Sequence, residues 1–129
     1  VQPFLRITAS LGRDPYNTPV SCPLSIGYGG AMGPAQFIPS TWNLYFEKLA
    51  GVLGRPGDPW AIADSFTAAG LYLADLGATA KTAAKESSAA SRYYGGSSSY
   101  ASSVMSRANC IQGFIDSGTM SPYCESLIF

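Results

Sequence analysis

The sequence predicts an all-α fold, and three observations carry that expectation. Apolar residues recur at intervals of three and four along several segments. Hydroxyl or acidic residues beside proline, and glycine beyond the last apolar position, mark helix starts and stops. No segment reads convincingly as a strand. The 129 residues suit one domain with a single core.

The opening segment has a short apolar run after Pro3 and then turn residues at Gly12, Asp14-Pro15 and Asn17. Between Tyr28 and Trp42 runs YGGAMGPAQFIPSTW, almost uncharged, in which Gln36 is the polar group among glycines and prolines. Gly29, Gly30 and Gly33 permit backbone paths that a Cβ forbids. Pro34 is expected to open a short helical turn holding Gln36 and Phe37. Ser40 is an N-cap candidate for a helix placing Trp42, Tyr45, Phe46, Leu49 and Leu53 on one face, stopped by Gly54 and Pro56.

The next helix has Asp58 as cap, Pro59 at its first position and Gly77 as stop. Ile62, Phe66, Ala69, Leu73 and Leu76 form its expected buried face, with Asp64 and Asp75 opposite. Those two carboxylates lie roughly 16 Å apart on a helix, too far for the pairs of about 5 to 10 Å that catalyse glycoside cleavage. Both are therefore expected to face solvent. Thr79 opens a third helix, rich in Ala and Ser and closed by Gly95-Gly96. A last one covers roughly Ser98 to Asp116, with Tyr100, Val104, Ala108, Ile111 and Ile115 as its stripe. The tail from Thr119 to Phe129 is expected to be irregular.

Composition narrows the function. Net charge is zero, without the basic stripe of a nucleic-acid binder. No apolar run approaches the roughly 20 residues of a membrane span. The absence of histidine removes imidazole catalysis and His metal sites. Neither metal nor cofactor is implied, and proton transfer falls chiefly to carboxylates. Cys110 and Cys124 are spaced to join the last helix to the tail. Such a bridge would mean an oxidising compartment and about 3 kcal/mol of stabilisation; the alternative is three free thiols in a reducing one. Cys22 then has its expected partner upstream of Val1, a first residue that suggests processing or a longer parent chain.

The motif Gly30-Ala31-Met32-Gly33-Pro34-Ala35-Gln36-Phe37, followed by Ile38-Pro39-Ser40-Thr41-Trp42, resembles that of the lytic transglycosylases, in the membrane-bound murein transglycosylase B-like branch. The likeness continues through Pro59-Trp60 and the LYLADLGA helix end, and spans roughly two thirds of the chain. It implies a lysozyme-like helical domain acting on peptidoglycan glycan strands outside the cytoplasm, in periplasm, envelope, secreted or virion-associated form. By this resemblance Gln36 lies in the glycan cleft, Met32 lines it, and Tyr28 and Gly30 border it. The family's Tyr-Asn signature corresponds to Tyr93-Tyr94, with tyrosine in place of asparagine. Gly27 stands where some members carry serine.

The family's reaction needs one glutamate, followed by serine, on a helix upstream of the motif. This chain has no glutamate before Glu47, and Asp14 is the one earlier carboxylate. Glu86-Ser87 and Glu125-Ser126 both follow the motif. No catalytic residue is therefore expected within this chain. The acid is expected from a segment upstream of Val1 or from a partner chain, completing cleavage of the MurNAc-GlcNAc bond with 1,6-anhydro ring formation. The alternative is a non-catalytic peptidoglycan-binding or virion/cell-surface module of the same fold.

Overall fold

A computed structural model describes residues 1–23 and 30–129. Among them are six α-helices and no strand longer than an isolated bridge. They form two compact units, Val1–Tyr72 and Leu73–Phe129, and the boundary falls inside a helix.

In the first unit, α1 (Gln2–Ser10) packs on α2 (Pro39–Leu53). Ser40 does not cap α2. Ile38 precedes it in an extended conformation, φ −71° and ψ 147°, and Pro39 occupies the first turn, because a residue before proline is driven out of the helical region. Trp42, Tyr45 and Leu49 are buried. Gly54, at φ 72°, ends the helix with its N–H on the Ala50 carbonyl.

The third helix, α3 (Ile62–Asp75), begins three residues after Pro59. The Asp58 carboxylate accepts the Trp60 N–H at 2.9 Å and the Asp58 carbonyl accepts the Ala61 N–H at 3.1 Å, closing a turn first. The start of its buried face is also displaced from the expected one. Ile62 and Phe66 are 64% and 60% exposed, whereas Asp64, Ser65 and Ala68 are buried. Asp64 goes inward because its partners are there: Arg55 donates to both carboxylate oxygens at 2.7 and 2.9 Å, and the Asp58 N–H adds a third bond at 2.9 Å. A satisfied carboxylate tolerates burial. The small Ser65 then lets the glycine-rich loop approach, its hydroxyl accepting the Ala35 N–H at 3.1 Å.

In the second unit, a 3₁₀ turn (Ala78–Ala80) leads to Lys81 at φ 54°. Thr82, not Thr79, then caps α4 (Ala83–Tyr93) by accepting the Lys85 N–H at 3.3 Å. Ser97 caps α5 (Ser98–Ser117), which packs on α4 with Ala89, Ala90 and Ala101 buried. The expected stripe of α5 holds only in part. At 20 residues it outruns the 11 of α4, and Ile111 and Ile115 remain 48% and 67% exposed.

The tail is not irregular. Ser121 accepts the Cys124 N–H, Pro122 sits in the first turn, and α6 (Pro122–Ile128) follows. A Cys110–Cys124 disulfide ties it to α5, leaving Cys22 as the free cysteine. Cys110→Ser with Cys124→Ser is expected to lower stability by about 2–3 kcal/mol, read as an earlier urea midpoint.

Candidate functional site

The glycine-rich segment folds as a braced loop. Ser21 donates its N–H to the Ala31 carbonyl and accepts from the Gly30 N–H, both at 2.9 Å, and its hydroxyl accepts the Ala31 N–H at 3.0 Å. Met32 bridges antiparallel to Val20 on one side and to Phe37 on the other. Residues 33 to 36 form a reverse turn, not the expected helical one. The Gln36 N–H meets the Gly33 carbonyl at 3.1 Å, and the Met32 N–H meets the Phe37 carbonyl at 2.8 Å. Gln36 itself sits at φ 54°, in the left-handed region.

Gly33 is required twice over. Its φ is 63°, and a Cβ there would lie 1.8 Å from the Pro59 carbonyl oxygen. This close approach locks the loop against the turn before α3, and the Ser65 hydroxyl accepts the Ala35 N–H at 3.1 Å across the same seam.

Two apolar members of the motif, Met32 and Phe37, face inward, whereas Ile38 is 48% exposed. Met32 is fully buried and offers nothing to a ligand, which corrects its expected cleft-lining role. Phe37 is 3% exposed and meets Trp42 edge to face, ring centroids 5.3 Å apart. Gln36 points outward, its Nε2 donating to the Gly33 carbonyl at 2.7 Å. That bond fixes the amide direction and leaves its oxygen uncommitted among the described residues.

Gln36 shares its surroundings with Trp60. The two line an open cleft of about 320 Å³ together with Pro19, Val20, Ser21, Ala31 and Gly33. The indole is held from three sides. Its Nε1 donates to the Pro19 carbonyl at 2.8 Å, the Phe4 ring meets it edge-on at 6.4 Å, and the Arg13 guanidinium lies 4.9 Å over its ring. Arg13 is anchored in turn on Asp58 at 2.7 Å. In the sequence Trp60 stands out only through the Pro59-Trp60 likeness. A tryptophan flanked by a helix-opening Asp-Pro was the available signal, but its partner lies 24 positions earlier in the chain.

Among the described residues no carboxylate lines this cleft. The Arg55 hydrogen bonds, acting against burial, hold Asp64 below the ordinary carboxylate range, and Asp64 raises Arg55 in return. Asp64 is thus committed to Arg55 and to the Asp58 N–H. Glu47 lines a separate cleft, Glu86 is half-buried in the first turn of α4, and Glu125 is exposed on α6. Among the described residues no group of acidic or cysteine side chains has metal-site geometry, and no helix is long and apolar enough to cross a membrane.

The chain has no match among protein families, curated proteins or solved structures.

Of the remaining expected site residues, Gly30 is at φ 79° in the loop beside Ser21, whereas Tyr28 lies outside the described residues, as do Gly27 and Gly29. Tyr93 and Tyr94 belong to the second unit. Tyr93 is half-buried; Tyr94 is 60% exposed and stacks on Tyr100 with ring centroids 4.6 Å apart.

Proposed function

We propose that the chain supplies the glycan-binding part of a peptidoglycan lytic transglycosylase. The observation that carries this reading is that Gln36 and Trp60 line one open cleft. A braced indole offers an apolar plate for a sugar's C–H face. An oriented amide both donates to and accepts from hydroxyl and N-acetyl groups. The pattern GAMG-x-x-QF-x-PS supports the reading further, since buried Met32 and Phe37 build a scaffold on which Gln36 is exposed.

In this proposal the acid is a glutamate from a segment upstream of Val1 or from a partner chain. It protonates the glycosidic oxygen of the departing N-acetylglucosamine as the C1–O bond breaks. The carboxylate then takes the proton of the muramic acid C6 hydroxyl while that oxygen bonds to C1. No water is consumed, and one carboxyl serves both steps. The substrate, together with the Cys110–Cys124 disulfide, favours an extracytoplasmic location.

The test has two parts. Purified sacculi should retain the chain, and Gln36→Ala or Trp60→Ala should each weaken retention about tenfold with unchanged circular dichroism. In the parent protein, Gln36→Ala should slow peptidoglycan turnover, and mass spectrometry should find anhydro-muropeptides. Reducing-end products would replace lytic chemistry by hydrolysis. Retention without any product would assign a non-catalytic binding module, and no retention would overturn the proposal.

A further inference from the structure

A second cleft in the first unit lies between α1 and α2 and encloses about 470 Å³, ample for a small ligand. Each wall carries an i, i+4 pair, Arg6 with Ser10 on α1 and Asn43 with Glu47 on α2, neighbours along one helix face. Ile7, 1% exposed, and the half-buried Phe46 supply apolar surface between them.

The charges here are unspent. Elsewhere in this unit Arg13 is paired with Asp58 and Arg55 with Asp64. Arg6 and Glu47 share one cleft, yet among the described residues neither has an ion pair or hydrogen bond, and the Asn43 side chain has no partner either. Both charged side chains are exposed at the cleft.

We propose that this cleft binds a short zwitterionic peptide. A peptide carboxylate meets the Arg6 guanidinium, where two parallel N–H donors suit it. An ammonium group meets the Glu47 carboxylate, an aliphatic side chain covers Ile7 and Phe46, and the Asn43 amide serves a peptide backbone group. Neutral sugars lack both charges, whereas a peptide carrying a carboxylate and an amine supplies the pair. That this peptide is the stem carried by peptidoglycan rests on the function proposed above; peptide binding as such does not.

The test is an NMR titration of the isotopically labelled chain with a synthetic N-acetyl-Ala-γ-Glu-Lys-Ala peptide. Saturable shifts are expected at the amides of Ile7, Ser10, Phe46 and Glu47. Arg6→Ala and Glu47→Gln should each weaken binding about tenfold. A peptide with its carboxyls amidated should lose a similar factor on the native chain and little more on Arg6→Ala, the coupling expected of a direct contact. A Lys-acetylated peptide should show the same relation to Glu47→Gln. Absent saturation, or equal affinity in both variants, overturns the proposal. So does a concentration-dependent dimer dissolved by Arg6→Ala, which would give the cleft to a second copy. Glycan chains stripped of peptide probe Gln36 and Trp60 instead, so failure there falls on the preceding proposal alone.

Discussion

Gly33→Ala is expected to cost more than about 3 kcal/mol, the range of severe overpacking combined with backbone strain. The added methyl would sit 1.8 Å from the Pro59 carbonyl oxygen and 2.7 Å from its carbon, both backbone atoms that no rotamer change moves aside. The φ of 63° adds the left-handed penalty, about 1–2 kcal/mol for a residue with a Cβ. Gly30→Ala is the matched control. It shares the positive φ, at 79°, but among the described residues has nothing within 4 Å of its would-be Cβ. Only the conformational cost of about 1 kcal/mol should then appear. Urea denaturation of the two variants reads the difference. Equal costs would mean that the Gly33–Pro59 approach is not a constraint of the native fold.

The second large effect concerns Asp64. Removing its three hydrogen bonds in Asp64→Ala should destabilise the chain by about 3 kcal/mol. The pH dependence gives a sharper readout. In the native chain the folded-state pKa of Asp64 is lowered, first by the Arg55 hydrogen bonds. Its contribution is therefore present above the unfolded value near 4 and lost as pH falls through the depressed one. Arg55→Ala should reverse the sign. The carboxylate, still buried, keeps only the Asp58 N–H, and desolvation then raises its pKa above the unfolded value. That variant should gain stability as pH falls from neutrality toward 4, over the range where the native chain gains none from this group. Thermal melts at pH 7, 5 and 4 on both proteins decide it. Parallel profiles would mean that Arg55 does not set the ionisation of Asp64.

These two residues also show what the sequence revealed and what it withheld. The ends of α2 and α5 were legible because Gly54 and Gly118 act through their own backbone, at φ 72° in each case. The inward turn of α3 was not, since apolar periodicity ranks faces by side chain alone. It cannot register that Arg55, nine positions earlier, makes an inward carboxylate favourable. The tail helix did announce itself locally, as Ser121 before Pro122, but a segment of seven residues spans too few turns for its periodicity to stand out. Its disulfide to α5 supplies the anchoring that so short a helix lacks. In the candidate site the motif pointed to Gln36 because its spacing is local. Trp60 joins it only through the fold, by way of Gly33 pressed against Pro59.

The free Cys22 has a practical consequence. With Cys110 and Cys124 bonded to each other, it is the one reactive thiol in a chain of three cysteines. It is exposed and adjoins Ser21 in the wall of the Gln36–Trp60 cleft. A thiol-reactive fluorophore would therefore attach at a single known address without mutagenesis. Its emission would follow ligand arrival near the cleft in real time.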